Sequence, residues 1–216
     1  MKIQSFVFSP FEVNTYILYD NSKECIIIDP ACYNKQEENF LLDFLKKNKL
    51  KPVKLLNTHC HLDHVFGNKF IADTFNLKTE ASKEEEFNIN NATNAANLYG
   101  IKMNTPYPIK KFLKEGDKIT FGFSELEILH VPGHTAGSLV FYAKEDKFLI
   151  AGDVLFKGSI GRTDLPGGNY DTLISQIKTK LFTLPEEITV YPGHGPETDI
   201  GTEKQTNPFF QNEQFT

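Results

Sequence analysis

Short runs of hydrophobic residues recur along most of the chain and predict β-strands. These runs are rich in β-branched and aromatic residues, and turn-forming residues separate them. The predicted strands cover residues 3–8, 15–19, 25–28, 53–57, 118–121, 126–130, 139–142, 148–151 and 188–191. They are distributed over nearly the whole length of the chain.

Segments with helical spacing lie between the predicted strands. Residues 36–47 place Phe40, Leu41, Phe44 and Leu45 on one face, which is typical of a surface helix. The remaining predicted helices cover residues 67–75, 83–99 and 170–182. Strands mixed with helices, with no linker between them, predict one α/β domain over residues 1–216, with sheets covered by helices.

Turn sequences connect these elements. Residues 115–117 and 144–146 have the composition of hairpin turns. Residues 166–169 form a predicted loop, and Asn169 is placed to cap the helix that follows.

Composition excludes several classes of protein. Hydrophobic residues make up 40% and charged residues 24% of 216 residues, which excludes a disordered or integral membrane protein. The net charge of -5 leaves no broad basic surface, so we expect neither nucleic acid nor a membrane as a partner. Three cysteines cannot form a complete disulfide framework, and residues 1–10 lack the features of an export signal. We expect a cytoplasmic protein.

The sequence THCHLDH, at residues 58–64, concentrates four potential metal donors at the end of a predicted strand. Residues two apart in an extended chain point to the same side, so His59 and His61 can share one metal ion. Asp63 and His64 follow where the chain turns towards the next helix, and they suit a neighbouring second ion. Alternation turns Cys60 away from the first ion, so we expect it to be structural.

Three more donors stand at the ends of later predicted strands: His134 in VPGHTAGS, Asp153 in LIAGDVLF and His194 in VYPGHGPE. Each follows a glycine, which allows a tight turn and close approach to a site. The seven donors divide into three per metal and one shared carboxylate, which leaves open positions for water. A structural zinc site usually needs four cysteine-rich ligands, so these seven donors indicate a catalytic centre. His130, four residues before His134, is expected to have a structural or supporting role.

In this order, the motifs resemble the metallo-β-lactamase fold superfamily, which carries His-x-His-x-Asp-His and then His, Asp and His on an αββα sandwich. The resemblance covers roughly residues 2–200 and implies two divalent metal ions, most readily zinc, with iron or manganese as alternatives. It assigns His59, His61 and His134 to the first ion, Asp63, His64 and His194 to the second, and Asp153 to a bridge between them.

The same resemblance implies a role for Asp29 in the sequence IIIDPA. The superfamily carries an aspartate at the end of an early strand, where it supports the site from behind the metal ligands. A simple Asp-Pro turn is the alternative interpretation.

Within the superfamily, the chain is most similar to glyoxalase II, the hydroxyacylglutathione hydrolases, and in particular to their shorter bacterial relatives. The stretch AGDVLFKGSIGRTDLPGGNY at residues 151–170 carries this similarity. It implies hydrolysis of small 2-hydroxyacyl thioesters by a metal-bound hydroxide, with Asp63 orienting the water. Arg162 falls where glyoxalase II has a basic residue, and we expect it to hold a substrate carboxylate. Asp164 falls where glyoxalase II has a tyrosine, and we expect poor discrimination for the glutathione part.

Two alternatives remain open at this point. The first is a persulfide dioxygenase, whose relatives share the fold and a Gly-Arg-Thr-Asp stretch and use one iron held by two histidines and one aspartate. The second is a metal-binding module without turnover. Metal content and activity would separate these readings from the thioesterase. The sequence makes no prediction of oligomeric state.

Overall fold

The structure, a computed structural model, describes residues 1–211 and contains two main six-stranded sheets. The first sheet follows the order of the chain: β1 (Lys2–Phe8), β2 (Val13–Tyr19), β3 (Glu24–Ile28), β4 (Lys51–Leu56), β5 (Thr79–Ser82) and β6 (Lys111–Leu113). β1 to β3 pair antiparallel, whereas β3 to β6 pair parallel. Parallel neighbours need crossover connections. These contain α1 (Lys35–Asn48), α2 (Asn68–Phe75) and α3 (Glu86–Leu98).

The second sheet has the spatial order β14-β13-β10-β9-β8-β7. Its strands are β7 (Lys118–Phe121), β8 (Ser124–His130), β9 (Leu139–Ala143), β10 (Phe148–Gly152), β13 (Thr189–Pro192) and β14 (Thr198–Asp199). A small hairpin of β11 (Leu155–Phe156) and β12 (Ser159–Ile160) follows β10. The remaining helices are α4 (Tyr170–Gln176), which continues as a π-helical turn over Ile177–Leu181, and α5 (Ile200–Thr206).

Strand β3 shows how the layers are built. Its side chains alternate, so Ile26 and Ile28 face the second sheet while Ile27 packs on the α1 side. Ile26 and Ile28 meet Phe141 and other buried residues of the second sheet. The outer face of the second sheet packs against α4 and the π-helical turn. The layers are therefore helix, sheet, sheet and helix, and the predicted αββα sandwich is confirmed.

The turns come out differently. Residues 144–146 connect β9 and β10 as a hairpin, as predicted. The hairpin predicted at residues 115–117 is wrong, because β6 belongs to the first sheet and β7 to the second. This turn carries the chain from one sheet to the other. Asn169 caps α4 as predicted, and its side chain accepts a hydrogen bond from the Thr172 amide.

Within residues 1–211, no helix combines the length and apolar character that crossing a bilayer requires.

Candidate metal centre

The loops that follow β4, β8, β10 and β13 meet at one edge of the sandwich and bring the seven predicted donors together. The loop after β4 contributes four of them, including a short 3₁₀ turn over Leu62–Val65. The other three follow glycines at the ends of strands or in the loop between β8 and β9. Two groups of three donors result, within each of which the potential ligand atoms lie within 4.8 Å of one another: His59, His61, His134 and Asp63, His64, His194.

The first group consists of three histidines. Nε2 of His59 lies 3.2 Å from Nε2 of His134, so both nitrogens face the same small space. Nδ1 of His134 donates to the carbonyl of Arg162 at 2.7 Å, which leaves its Nε2 lone pair free. Burial, followed by neighbouring histidines, lowers the pKa of His59 and brings the pKa of His61 to about 4. These two imidazoles are therefore neutral at neutral pH, the form that binds metal.

The second group pairs two histidines with a carboxylate. Oδ2 of Asp63 lies 3.4 Å from Nε2 of His194 and 3.8 Å from Nε2 of His64. Nδ1 of His194 donates to the carbonyl of Phe11 at 2.9 Å, which directs Nε2 at the group. Burial alone lowers the pKa of His64, but the carboxylates of Asp153 and Asp63 raise it well above its ordinary value. The carboxylates around this group therefore favour a cation at this position.

Asp153 lies between the two groups. Its Oδ1 is 3.3 Å from Nε2 of His64, and its Oδ2 is 3.7 Å from Nε2 of His134 and 3.5 Å from Nε2 of His194. Asp153 Oδ1 and His64 Nε2 are buried and have no hydrogen-bond partner among residues 1–211. Buried polar atoms are rarely left without a partner, and coordination of a cation would satisfy both. The donors present therefore fit a pair of divalent ions.

Asp29 lies behind these donors. Its carboxylate accepts hydrogen bonds from the Thr58 amide at 2.8 Å and the Thr58 hydroxyl at 2.6 Å, and it faces Nδ1 of His64 at 3.1 Å. A hydrogen bond from His64 Nδ1 leaves Nε2 available on the opposite side of the ring. Asp29 adopts φ of 49°, a left-handed conformation that aspartate tolerates better than most residues. This geometry joins the end of β3 to the loop that carries four of the donors.

Cys60 and His130 lie outside the two donor groups. Cys60 is fully buried and packs in a cluster with Val65, Ala81 and Ile89. Nε2 of His130 forms a hydrogen bond with the carbonyl of Ala136 at 2.9 Å, within the loop that carries His134. The packing of Cys60 and the hydrogen bond of His130 support the surrounding fold.

Sequence reasoning missed Glu85, which connects two donor loops. Its buried carboxylate accepts hydrogen bonds from the Cys60 amide at 2.7 Å, the Thr135 hydroxyl at 2.6 Å and the Gly137 amide at 3.0 Å. Asn88 donates a fourth at 2.8 Å. Cys60 lies between His59 and His61, and Thr135 follows His134. In the sequence, Glu85 is one of three consecutive glutamates and carries no signal that separates it from a solvated helix start.

A cavity of about 410 Å³ opens over the donors. Its outer wall is formed largely by α3 and the residue after it, through Phe87, Asn91, Leu98 and Tyr99. Arg162 lines the same cavity, and its guanidinium forms two hydrogen bonds to the carboxylate of Asp164. A larger groove of about 830 Å³ lies between β1 and α1, but it contains none of the seven donors.

Gly193 tests how tightly the shared carboxylate is held. A Cβ at this position would overlap Oδ1 of Asp153 and approach Cε1 of His64 to 2.9 Å. We expect Gly193→Ala to lower metal affinity about 10- to 100-fold, because it displaces Asp153. Metal content after dialysis against a graded chelator series measures this.

The matched control is Gly195→Ala, two residues further along the same loop. Gly195 has φ of 73°, but a Cβ there would have no atom of the described part of the chain within 4 Å. The substitution should cost about 1 to 2 kcal/mol of backbone strain without touching Asp153. Equal loss of metal in the two variants would argue against a steric effect on the carboxylate.

Comparison with known proteins identifies the class. A profile of the metallo-beta-lactamase superfamily matches residues 9–194. The chain belongs to the metallo-β-lactamase superfamily, and it stands among metal-dependent hydrolases within it.

Individual relatives extend this likeness over the whole fold. The chain is 37% identical to hydroxyacylglutathione hydrolase GloC of Haemophilus influenzae, over 97% of this chain and 98% of the relative. The crystal structure of BLEG-1 B3 metallo-beta-lactamase superimposes with a TM-score of 0.89 at 35% identity, covering 97% of this chain and 100% of that one. TTHA1623, solved in a di-iron-bound form, gives a TM-score of 0.84 at 33% identity, covering 95% and 99%.

Proposed function

We propose that the protein hydrolyses small 2-hydroxyacyl thioesters at a dinuclear metal centre, in the manner of glyoxalase II. The observation that carries this proposal is the position of Asp153, whose carboxylate faces both donor groups at the floor of one cavity. The similarity to a hydroxyacylglutathione hydrolase supports thioesters as the substrate class. Zinc is the metal that we expect, with iron or manganese as alternatives, since one similar protein was solved with two irons.

In this proposal each donor group would hold one ion, and Asp153 would serve as a ligand for both. The ligands are His59, His61 and His134 for the first ion and Asp63, His64 and His194 for the second. Two bound divalent ions supply a water of lowered pKa and a Lewis acid for the oxygen of the carbonyl under attack. Asp29 and Glu85 hold the loops that carry these ligands in position.

The chain's own residues complete the site. Asp63 lines the cavity, and its carboxylate can accept a hydrogen bond from the attacking water, orient it and receive its proton. Helix α3 lines the cavity through Phe87, Asn91 and Leu98, so a bound substrate would lie against this helix. The leaving thiolate is a good leaving group, so activation and placement of the nucleophile are the main demands on the site.

Metal analysis combined with an assay tests this proposal. Metal-replete protein should contain close to two ions per chain, and it should hydrolyse S-lactoyl thioesters. A chelator should abolish turnover, and added zinc, iron or manganese should restore it. A stoichiometry that stays at one ion under excess metal would contradict the dinuclear centre.

The same preparations distinguish the alternatives. One iron per chain, with oxygen consumption on glutathione persulfide, would replace the proposal with a persulfide dioxygenase. Two tightly bound ions without turnover of any thioester would replace it with a metal-binding module. A parallel assay with a β-lactam is warranted, because one similar structure is a B3 metallo-beta-lactamase.

A further inference from the structure

The cavity over the metal centre is apolar where it opens to solvent. Phe87, Leu98 and Tyr99 line it and expose 63%, 88% and 58% of their surfaces. Large apolar side chains that remain exposed together typically mark a binding surface. They form one rim of the cavity, on the side of α3.

The cationic side chain that lines the same cavity is already neutralised. Within residues 1–211, Arg162 is the only lysine or arginine that lines the cavity. Its Nε donates to Oδ1 of Asp164 at 2.8 Å and its Nη2 donates to Oδ2 at 2.7 Å. This bidentate arrangement uses the Nε–Nη2 edge of the guanidinium, one of the two edges that can bind a carboxylate through two parallel hydrogen bonds.

The Arg162–Asp164 pair contributes little to folding. The two side chains are 56% and 67% exposed, and pairs of this kind are screened by solvent. The pair bears instead on ligand charge, since it neutralises the cationic side chain that lines the cavity. Within residues 1–211, no arginine or lysine that lines the cavity is free of an ion pair and available to a ligand carboxylate.

We propose that the cavity selects thioesters with an uncharged, apolar thiol portion, which lies against Phe87, Leu98 and Tyr99, and that Asp164 sets this selectivity by occupying Arg162. The proposal rests on the thioesterase function proposed above and specifies its substrate class. It differs from the expectation that Arg162 holds a substrate carboxylate. Glutathione carries two carboxylates, so its thioesters should be poor substrates.

The test uses two substrates that differ by one carboxylate: the S-lactoyl thioesters of benzyl mercaptan and of para-carboxybenzyl mercaptan. The metal-loaded wild-type protein should have a higher kcat/KM for the benzyl thioester. Asp164→Asn removes the carboxylate that pairs with the Arg162 guanidinium. The kcat/KM for the carboxylated thioester, relative to that for the benzyl thioester, should therefore rise about tenfold, mainly through a lower KM. Adding Arg162→Gln to this variant should remove the gain.

Glu125→Gln is the matched control. Glu125 on β8 forms an exposed ion pair with Lys118 at 2.6 Å, and neither residue lines this cavity. The control therefore removes the same charge and the same kind of pair without affecting the rim. A wild-type preference for the carboxylated thioester, or an equal change of the ratio in Asp164→Asn and Glu125→Gln, would overturn the proposal.

A second pair of variants tests the apolar rim. A third substrate, the S-lactoyl thioester of methyl mercaptan, lacks the ring. Leu98→Ala should raise KM for the benzyl thioester several-fold while changing KM for this methyl thioester little. Phe123→Ala is the control, because Phe123 is 85% exposed in the turn between β7 and β8, away from the cavity. Equal effects of Leu98→Ala on the two thioesters would contradict an aromatic or alkyl subsite at this rim.

Calorimetric titration of the metal-loaded protein with the two free thiols separates this inference from the proposed function. Tighter binding of benzyl mercaptan, reversed towards the carboxylated thiol by Asp164→Asn, would support the selectivity even if neither thioester is hydrolysed. Hydrolysis of both thioesters at rates independent of their charge would leave the thioesterase in place and overturn the selectivity.

Discussion

Replacing Asp153 by alanine is expected to release both metal ions together. The carboxylate of Asp153 faces His64 through Oδ1, and His134 and His194 through Oδ2. Its removal takes one ligand from each proposed ion, so metal affinity should fall at both sites. The rate of thioester turnover should fall by about a hundredfold or more. Metal content per chain and kcat/KM measure the two effects.

Two further variants show whether the loss is specific to a bridge. His134→Ala should mainly empty the first site, because His134 belongs to the group with His59 and His61. Asp73→Ala removes an aspartate from the surface of α2, where it pairs with Lys69, and should leave metal content unchanged. If Asp153→Ala and His134→Ala each lose the same single ion, Asp153 does not bridge.

Replacing Glu85 by alanine is expected to weaken both the fold and the first metal site. Four hydrogen-bond donors lose their acceptor, and three of them lie on the loops that carry His59, His61 and His134. The free energy of unfolding should fall by about 3 kcal/mol, because buried donors are left unpaired. Metal affinity should fall about 10- to 100-fold. Urea unfolding and competition with a chelator measure the two effects.

Two glutamate variants complete this test. Glu85→Gln keeps the shape and one acceptor oxygen but turns an amide NH₂ towards other donors, so its effects should be intermediate. Glu86→Ala changes the adjacent, exposed glutamate and should leave both measurements unchanged. Normal metal affinity in a destabilised Glu85→Ala protein would limit Glu85 to a role in the fold.

The sequence predicted the elements that have a clear hydrophobic pattern. Strand β9 and helix α1 were found within one residue at each end, because a five-residue apolar run and a helical stripe leave few alternatives. Strands β5, β6 and β14 were not predicted, since two to four residues contain too little periodicity to recognise. The exchange between sheets at residues 115–117 depends on tertiary packing, which a local turn sequence does not encode.

The residues of the site also fall into those that the sequence predicted and those that it did not. The seven donors carry their own signal, because histidines and aspartates at strand ends are chemically distinctive. Glu85, in contrast, reaches the donor loops through contacts with residues 25 to 52 positions away. The pairing of Arg162 with Asp164 depends on side-chain geometry, and the exposed rim of α3 depends on how that helix packs. Local sequence patterns contain none of this information.

The donor groups draw on both halves of the chain. Four of the donors follow strand β4 of the first sheet: His59, His61, Asp63 and His64. In contrast, His134 and His194 lie in loops of the second sheet. An ion held by either group therefore cross-links the two halves without a covalent bond and closes a long loop in the chain. Such a link raises the free energy of unfolding with the logarithm of the metal concentration above the dissociation constant, as any ligand that binds only the native protein does. The fraction of molecules that is unfolded should therefore depend on metal supply, so that scarcity of metal limits the amount of folded protein as well as its turnover.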